Sequence, residues 1–300
     1  MYSYRGTDWI MLFFIYGFLG WVFESTYVSI KKRKVINRGF LKGPMLPIYA
    51  FGAILMLFVS IPFERNLIAT YFAGMIAATA LEFVVGILME SIFKVKYWDY
   101  SNQKFQFKGV ICISSSVAWG FFTLLLTEVI HKPIEKMLFL IPDMVKYVLV
   151  VVLGIIFAAD TVLSVKVALD LRQMLEKMTA MKKELEELQE QFAEYASEWK
   201  EGIKKSASEQ HEKLEEQWED IMANAPEKLA VYRKLKGKFA EYKTYSKGYG
   251  LLKAQLLKAN PTASSKKHKE ALKDVLEAID EGIQAKKEDI KQKMKKKNED

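Results

Sequence analysis

The chain has 300 residues, with 44 Lys and Arg against 36 Asp and Glu and a formal net charge of +8. Residues 166–300 hold 29 of the basic and 26 of the acidic residues, so an apolar first half precedes a charged second half and two structural units are expected. The mixed signs of the second half argue against a nucleic-acid-binding arm, and the single Cys112 excludes a disulfide framework.

Five apolar stretches in the first half predict membrane spans, because a spanning helix needs about 20 mostly apolar residues. They are Trp9–Ile30, Leu46–Ile61, Leu67–Phe93, Val110–Ile130 and Val145–Val167, and the second is short. The loops after the first and third stretches are rich in Lys and Arg, which predicts that both loops are cytoplasmic. We therefore predict an all-α, polytopic transmembrane helix bundle over residues 1–167. It would be a multi-pass protein of the cell membrane, with its N-terminus outside and its C-terminus inside.

The second half, residues 168–300, is predicted to be a cytoplasmic, coiled-coil-like helical tail that continues the fifth span. Apolar residues recur there at spacings of three, four and seven over residues 171–203, a heptad-like pattern. This helix is expected to bind a second copy of the chain or a cytoplasmic partner. Asn224–Pro226 and Asn260–Ser265 look like breaks, and Ala271–Met294 is predicted to be the last helix.

Four carboxylates lie inside the predicted spans: Glu24, Glu82, Glu90 and Asp160. Charged groups in a membrane are costly, so each is a candidate for function unless a partner balances it. In the third span, small and acidic residues follow each other at four-residue spacing and share one ridge that is expected to face another helix. These residues are Gly74, Ala78, Glu82, Gly86 and Glu90.

The acids, together with Ser116 of the fourth span, predict a polar cavity in the inner half of the bundle. Such a cavity could bind a proton, a cation or a cationic substrate. The alternative is that the acids only join helices, by pairing with Arg38, Lys42 or Lys166 or as neutral hydrogen-bond donors.

Two predicted cytoplasmic loops carry further candidate residues. The first contains Asn37, Arg38 and the helix-breaking pair Gly43 and Pro44, and is either an ordinary loop or a re-entrant segment. The second contains Trp98, Asp99 and Tyr100. Its aromatic side chains are expected at the bilayer surface, with an aromatic substrate platform as the alternative.

These spans and loops resemble the ABC-transporter type IV (CmpB-like) family of bacterial membrane proteins over roughly residues 12–165. The motifs that carry the resemblance are Phe18–Trp21 with Glu24, Asn37–Leu41, Gly43-Pro44, Pro47–Tyr49, Leu81-Glu82, Trp98–Ser101 and Trp119-Gly120. A tail segment with Leu256-Leu257, Ala259, Pro261 and Ser265 also looks like a family ending. The chain departs from the family pattern at Val110, where an Arg is usual.

The resemblance implies a transporter subunit. Because the sequence has no Gly-x-x-x-x-Gly-Lys-Ser/Thr loop, any ATPase would be a separate subunit. No nucleophile–base pair and no metal-type spacing occur, so we predict no catalytic residue, cofactor or metal and no enzyme activity. We predict an integral membrane, permease-like subunit in contact with the lipid bilayer and without a nucleic-acid partner. A scaffold or sensor that acts through the tail is the alternative, and an enzyme acting on lipid through Asp99 is a third reading.

Overall fold

The computed structural model describes residues 4–63, 65–206 and 226–297, and within them α-helices dominate. The first four helices are α1 (Gly6–Lys32), α2 (Pro47–Ser60), α3 (Leu67–Phe93) and α4 (Ile113–Leu125). They are followed by α5 (His131–Leu140), α6 (Asp143–Ser206), α7 (Pro226–Lys247), α8 (Gly250–Ala259) and α9 (Lys269–Lys297). A 3₁₀ turn, Ile61–Phe63, extends α2, and a π-helical turn, Leu126–Ile130, joins α4 to α5.

Four helical segments are long and apolar enough to cross a membrane: Gly6–Lys32, Leu67–Phe93, Ile113–Leu140 and Asp143–Glu194. The second predicted span corresponds to the shorter apolar segment Pro47–Phe63. The expectation that the last span continues into the charged half is confirmed, because α6 is one uninterrupted helix.

The predicted start and end of the fourth span, Val110 and Ile130, are wrong. A two-stranded antiparallel hairpin, β1 (Gln106–Phe107) and β2 (Ile111–Cys112), precedes the helix, which begins at Ile113 and reaches Leu140 through the π-helical turn. Gly109 lies in the turn of the hairpin with φ of +69°, a left-handed backbone conformation that favours glycine.

The described chain divides into two compact units. The first comprises residues 1–172 together with residues 251–267, and the second comprises residues 173–250 and 268–300. Residues 251–267, hereafter the return segment, lie within the predicted tail of residues 168–300. The return segment instead packs within the first unit, where α8 and the turn after it contact the loops that follow α1 and α3.

In the first unit, α1 packs on α2, α2 on α3, and α3 on α4. The ridge predicted on α3 faces these neighbours, since Gly74, Ala78, Glu82 and Gly86 are all buried. Small residues permit close helix packing: a Cβ on Gly74 would overlap the side chain of Thr123 on α4. The apolar core of the unit comprises Met11, Leu12, Tyr16, Met56, Leu57, Ala78, Leu126 and Leu138.

The N-terminal ends of α1 and α6 are joined by a buried ion pair. Lys146 Nζ lies 2.7 Å from Asp8 Oδ1, and the two side chains are only 5% and 3% exposed. Along the N-terminal part of α6, between Met144 and Leu163, many apolar side chains are exposed. Exposed apolar side chains of this kind suit a lipid-facing helix.

In the second unit, the charged part of α6 packs with α7 and α9. Met178, Leu185 and Leu188 are buried, Phe192 lies against the ring of Tyr232, and Thr179 Oγ1 lies 2.8 Å from His268 Nδ1. The coiled coil predicted for residues 171–203 stays a prediction. The side chains of Tyr195, Trp199 and Ile203, and the predicted break at residues 224–225, lie outside the described residues.

Candidate functional site

Glu82 lies in the middle of α3 with only 4% of its surface exposed. Its carboxylate accepts hydrogen bonds from Tyr100 Oη at 3.0 Å, from Ser115 Oγ at 3.2 Å and from Trp119 Nε1 at 3.0 Å. All three donors are neutral, and within the described residues no Lys, Arg or His forms an ion pair with Glu82. The carboxylate is therefore well hydrogen-bonded but has no balancing positive charge.

Glu24 lies near the C-terminal end of α1, and its carboxylate is balanced by the positive charge of Arg38. Arg38 Nε lies 3.3 Å from Glu24 Oε1, and Tyr49 Oη donates to Glu24 Oε2 at 2.7 Å. Arg38 also donates through Nη1 to the backbone oxygen of Ala259 and to Asn260 Oδ1, at 2.9 and 2.8 Å. This arrangement joins α1, the first loop and the return segment around one partly buried ion pair.

Glu24 and Glu82 line the same space, a cavity of about 210 Å³ that we call the polar cavity. Its charged lining residues are Glu24, Arg38 and Glu82, and its polar lining also includes Asn260 of the return segment. Six aromatic side chains complete much of the wall: Phe40, Tyr49, Tyr97, Trp98, Tyr100 and Trp119.

A second space of about 180 Å³, the apolar cavity, lies between α1, α2, α3 and α4. Ile48, Tyr49, Glu82 and Trp119 line both this cavity and the polar cavity, so Glu82 lies where the two spaces meet. The lining of the apolar cavity extends to Tyr16 and Ile130.

A hydrogen-bonded cluster adjoins the Tyr16 end of the apolar cavity. Tyr16 Oη lies 2.6 Å from His131 Nδ1, and Tyr4 Oη lies 2.8 Å from His131 Nε2 and donates to Glu135. His131 is fully buried. The sequence does not reveal this cluster, because the two tyrosines are more than 100 residues away from His131 and Glu135.

The other predicted residues of the span interior lie elsewhere. Asp160 on α6 accepts hydrogen bonds from the backbone N–H groups of Lys42 and Gly43 at 3.2 and 2.8 Å. With Gly43 and Pro44 it lines a separate space of about 420 Å³ between α1 and α6. The structure therefore places Asp160 against the first loop, apart from Glu82.

Glu90 and Ser116 do not line either cavity that Glu82 lines. Glu90 Oε2 lies 3.8 Å from Nζ of the buried Lys96, whose N–H₃⁺ group also donates to the backbone oxygen of Lys108. Ser116 Oγ donates to the backbone oxygen of Cys112 on its own helix at 3.2 Å, and the neighbouring Ser115 is the serine that reaches Glu82.

The first loop is held by side chains on both sides of it. Trp21 Nε1 donates to Asn37 Oδ1 at 2.6 Å, and Asn37 Nδ2 donates to the backbone oxygen of Lys42 at 3.0 Å. The backbone N–H of Leu46 donates to the backbone oxygen of Gly17. These bonds hold the loop on both sides of Arg38, whose own backbone N–H donates to Ser25 Oγ at 3.1 Å.

The second loop pairs with the return segment. Lys96 and Ser264 form an antiparallel bridge with backbone N···O distances of 2.8 and 3.0 Å, and Ser265 Oγ donates to the backbone oxygen of Lys94. Asp99 accepts hydrogen bonds from Ser264 Oγ and from both Oγ and N of Ser101. Burial raises the pKa of Asp99, but these hydrogen bonds outweigh it and the pKa lies below its ordinary value.

Two phenols of the second loop remain protonated at neutral pH. Burial raises the pKa of Tyr97 and of Tyr100 well above the ordinary value, and the carboxylate of Glu82 raises that of Tyr100 further. Tyr100 uses its proton to donate to Glu82. The hydroxyl of Tyr97, a residue only 3% exposed, has no hydrogen-bond partner among the residues that the structure describes.

Sequence reasoning named Glu24, Arg38, Glu82, Trp98 and Tyr100 of the polar cavity as site candidates. Tyr49 and Trp119 entered only as parts of the family motifs, and Asn260 only as the start of a predicted break between helices. Across the described ranges, no three His, Cys, Asp or Glu side chains lie close enough together to hold a metal ion.

Comparison with known proteins gave one match. The model of a family described as Putative ABC-transporter type IV matches residues 11–165, just over half of the chain and nearly all of the apolar part. No curated protein and no solved structure matches the chain.

Proposed function

The chain belongs to the ABC-transporter type IV family, and from this premise we propose that it is a permease-like membrane subunit of a transporter. The observation that carries the proposal is the position of Glu82. This buried carboxylate without a counter-charge lies where the polar cavity and the apolar cavity meet. A substrate or proton that passes between the two spaces would have to pass Glu82.

The proposed topology has five spans, with α2 and its 3₁₀ turn as the short second span. The N-terminus is outside and the C-terminus inside, because the basic loops after α1 and α3 lie on the cytoplasmic side. The polar cavity then faces the cytoplasm of a multi-pass protein of the cell membrane. Since the sequence lacks a nucleotide-binding loop, a separate ATPase subunit would supply the energy.

The experiment compares cells that lack the gene with cells that express the wild type, Glu82→Gln or Glu128→Gln. Small-molecule pools inside the cells and in the medium are measured by mass spectrometry. Glu128 is a matched control, because it is a carboxylate of an exposed ion pair with Lys132 and lines neither cavity.

We expect the wild type and Glu128→Gln to restore the same pools and Glu82→Gln to leave them as in the cells without the gene. Membrane fractions establish that all three proteins accumulate equally. Pools restored in full by Glu82→Gln would overturn the proposal. A stoichiometric ATPase that co-purifies in mild detergent would support the assignment as a transporter subunit.

The alternative function is a membrane scaffold or sensor whose tail is the output. One observation favours it: the return segment brings Asn260 and Ser264 of the charged half into contact with Arg38 and Asp99. A change around the polar cavity could reach the tail through these bonds. A scaffold would depend on the second unit, whereas a permease would depend on Glu82.

A further inference from the structure

The charge balance of the polar cavity indicates what kind of ligand it takes. Glu24 and Arg38 form an ion pair and cancel each other, so the charged residues of the wall leave one net negative charge, that of Glu82. A buried carboxylate is stable only when an opposite charge or a proton balances it. A monovalent cation in the cavity would supply this balance.

The hydrogen bonds of Glu82 leave room for such a cation. An ionised carboxylate offers about four acceptor positions, and Tyr100, Ser115 and Trp119 occupy three of them. Trp119 can only donate, so the oxygen facing it must be an acceptor. The carboxylate is thus oriented by neutral groups that add no positive charge.

The walls favour an organic cation over a metal ion. Hard metal cations need several oxygen ligands, whereas Glu82 is the one carboxylate of the wall without a cationic partner in the described part of the chain. Aromatic rings attract ammonium groups through the negative face of the ring. Five aromatic residues line the cavity together with Glu24 and Glu82: Tyr49, Tyr97, Trp98, Tyr100 and Trp119.

The ligand should also carry a polar group besides its charge. Tyr97 lines the polar cavity with a buried hydroxyl that no described residue bonds. An unsatisfied buried hydroxyl destabilises the fold, and a hydroxyl, ether or carbonyl oxygen of a ligand would satisfy it.

We propose that the polar cavity binds a small, monovalent organic cation of the alkylammonium class, with its charge beside Glu82 and a polar group at Tyr97. As a statement about the transported substrate, this rests on the proposed function. As a statement about binding, it can be tested without transport.

The test uses the full-length protein in lipid nanodiscs and two probes of equal shape, choline and its neutral isostere 3,3-dimethylbutan-1-ol. Isothermal titration calorimetry measures binding to the wild type, Glu82→Gln and the control Glu128→Gln. We expect choline to bind the wild type at least tenfold more tightly than the alcohol. Glu82→Gln should weaken choline binding at least tenfold, and Glu128→Gln should leave it unchanged.

Equal binding of both probes, binding of neither, or undiminished choline binding by Glu82→Gln would overturn the proposal. If Glu82→Gln does not fold, Glu82→Asp keeps the charge but withdraws it by one methylene. It should still prefer choline to the alcohol, and loss of that preference with the charge intact would count against an electrostatic site. Choline binding with unchanged pools in cells would overturn the transport proposal alone, whereas altered pools without choline binding would overturn the cation class alone.

Discussion

Removing the hydroxyl of Tyr97 should change protein stability and ligand affinity in opposite directions. Its hydroxyl is buried without a described partner at the wall of the polar cavity, while its ring packs against Phe40 and Phe93. Tyr97→Phe keeps the ring and removes the unsatisfied group, so we expect the free energy of unfolding to stay equal or rise by up to about 1 kcal/mol. We expect choline affinity to fall several-fold.

Thermal unfolding in nanodiscs and calorimetry measure the two effects on the same sample. Tyr147→Phe is a suitable control, because Tyr147 is an exposed residue of α6 that lines neither cavity. A large loss of stability in Tyr97→Phe would mean that the hydroxyl has a partner in the folded protein and is not free for a ligand.

Asp99 should make the attachment of the return segment insensitive to pH near neutrality. The folded pKa of Asp99 lies below the ordinary value of 3.8. Its contribution to stability is therefore fully present above pH 3.8 and is lost as the pH falls through the lower folded value. Hydrogen exchange at Ser264, corrected for the intrinsic rate, should give the same protection at every pH from 5 to 8.

Asp99→Asn removes the charge at neutral pH and leaves one acceptor oxygen in place of two, so the side chain can no longer accept hydrogen bonds from both Ser101 and Ser264. It should accelerate exchange at Ser264, whereas Asp170→Asn, a change at an exposed carboxylate of α6, should not. Protection that changes between pH 5 and 8 in the wild type would show that another titrating group controls this contact.

Particular residues show how far the sequence could predict the site. The four-residue ridge of α3 was sufficient to place Glu82 inward, because the period of a helix fixes which residues share a face. The partners of Asp160 were not predictable, since they are backbone N–H groups of a loop about 117 residues away. Spacing along one helix determines which way a side chain faces, but it does not determine what another part of the chain brings to it.

The packing of α3 on α4 depends on a glycine contact that a single methyl group should disrupt. A Cβ on Gly74 would overlap Thr123, whose side chain is fully buried and whose Oγ1 donates to the backbone oxygen of Trp119. Overpacking of this kind costs about 1–3 kcal/mol, so we expect Gly74→Ala to lower the unfolding temperature in nanodiscs.

Gly154→Ala is the matched control. A Cβ on Gly154 of α6 would meet nothing within 4 Å, and alanine favours a helix over glycine by up to about 1 kcal/mol. We expect this variant to be as stable as the wild type or more so. An unaffected Gly74→Ala would mean that α3 and α4 can separate without cost.

At the level of elements, sequence periodicity identified the long apolar helices and the continuation of α6 into the charged half. It missed the hairpin of β1 and β2, because strands of two residues are too short to show a periodic pattern. Sequence periodicity also gave no sign that α8 packs with the first unit and not with the tail. The docking of α8 depends on bonds such as Arg38 to Asn260, which are 222 residues apart and leave no local trace in the sequence.

At the level of the whole molecule, the two units have separable roles if the permease proposal is right. The return segment belongs to the first unit and contacts the polar cavity, although α7 precedes it and α9 follows it in the second unit. A chain that ends after Lys267 keeps all the contacts of Asn260 and Ser264 with Arg38, Lys96 and Asp99. A chain that ends after Gly250 loses them.

We expect the chain that ends after Lys267 to retain the small-molecule pools of the wild type and to bind choline, since its polar cavity is complete. The chain that ends after Gly250 should lose choline affinity, because Arg38 is left without Ala259 and Asn260 while Glu24 and Glu82 remain. Equal accumulation of both proteins in the membrane fraction is the control. Loss of function in both truncated chains, with choline binding retained in the longer one, would favour the scaffold or sensor, because α9 would then be needed for the output and not for the cavity.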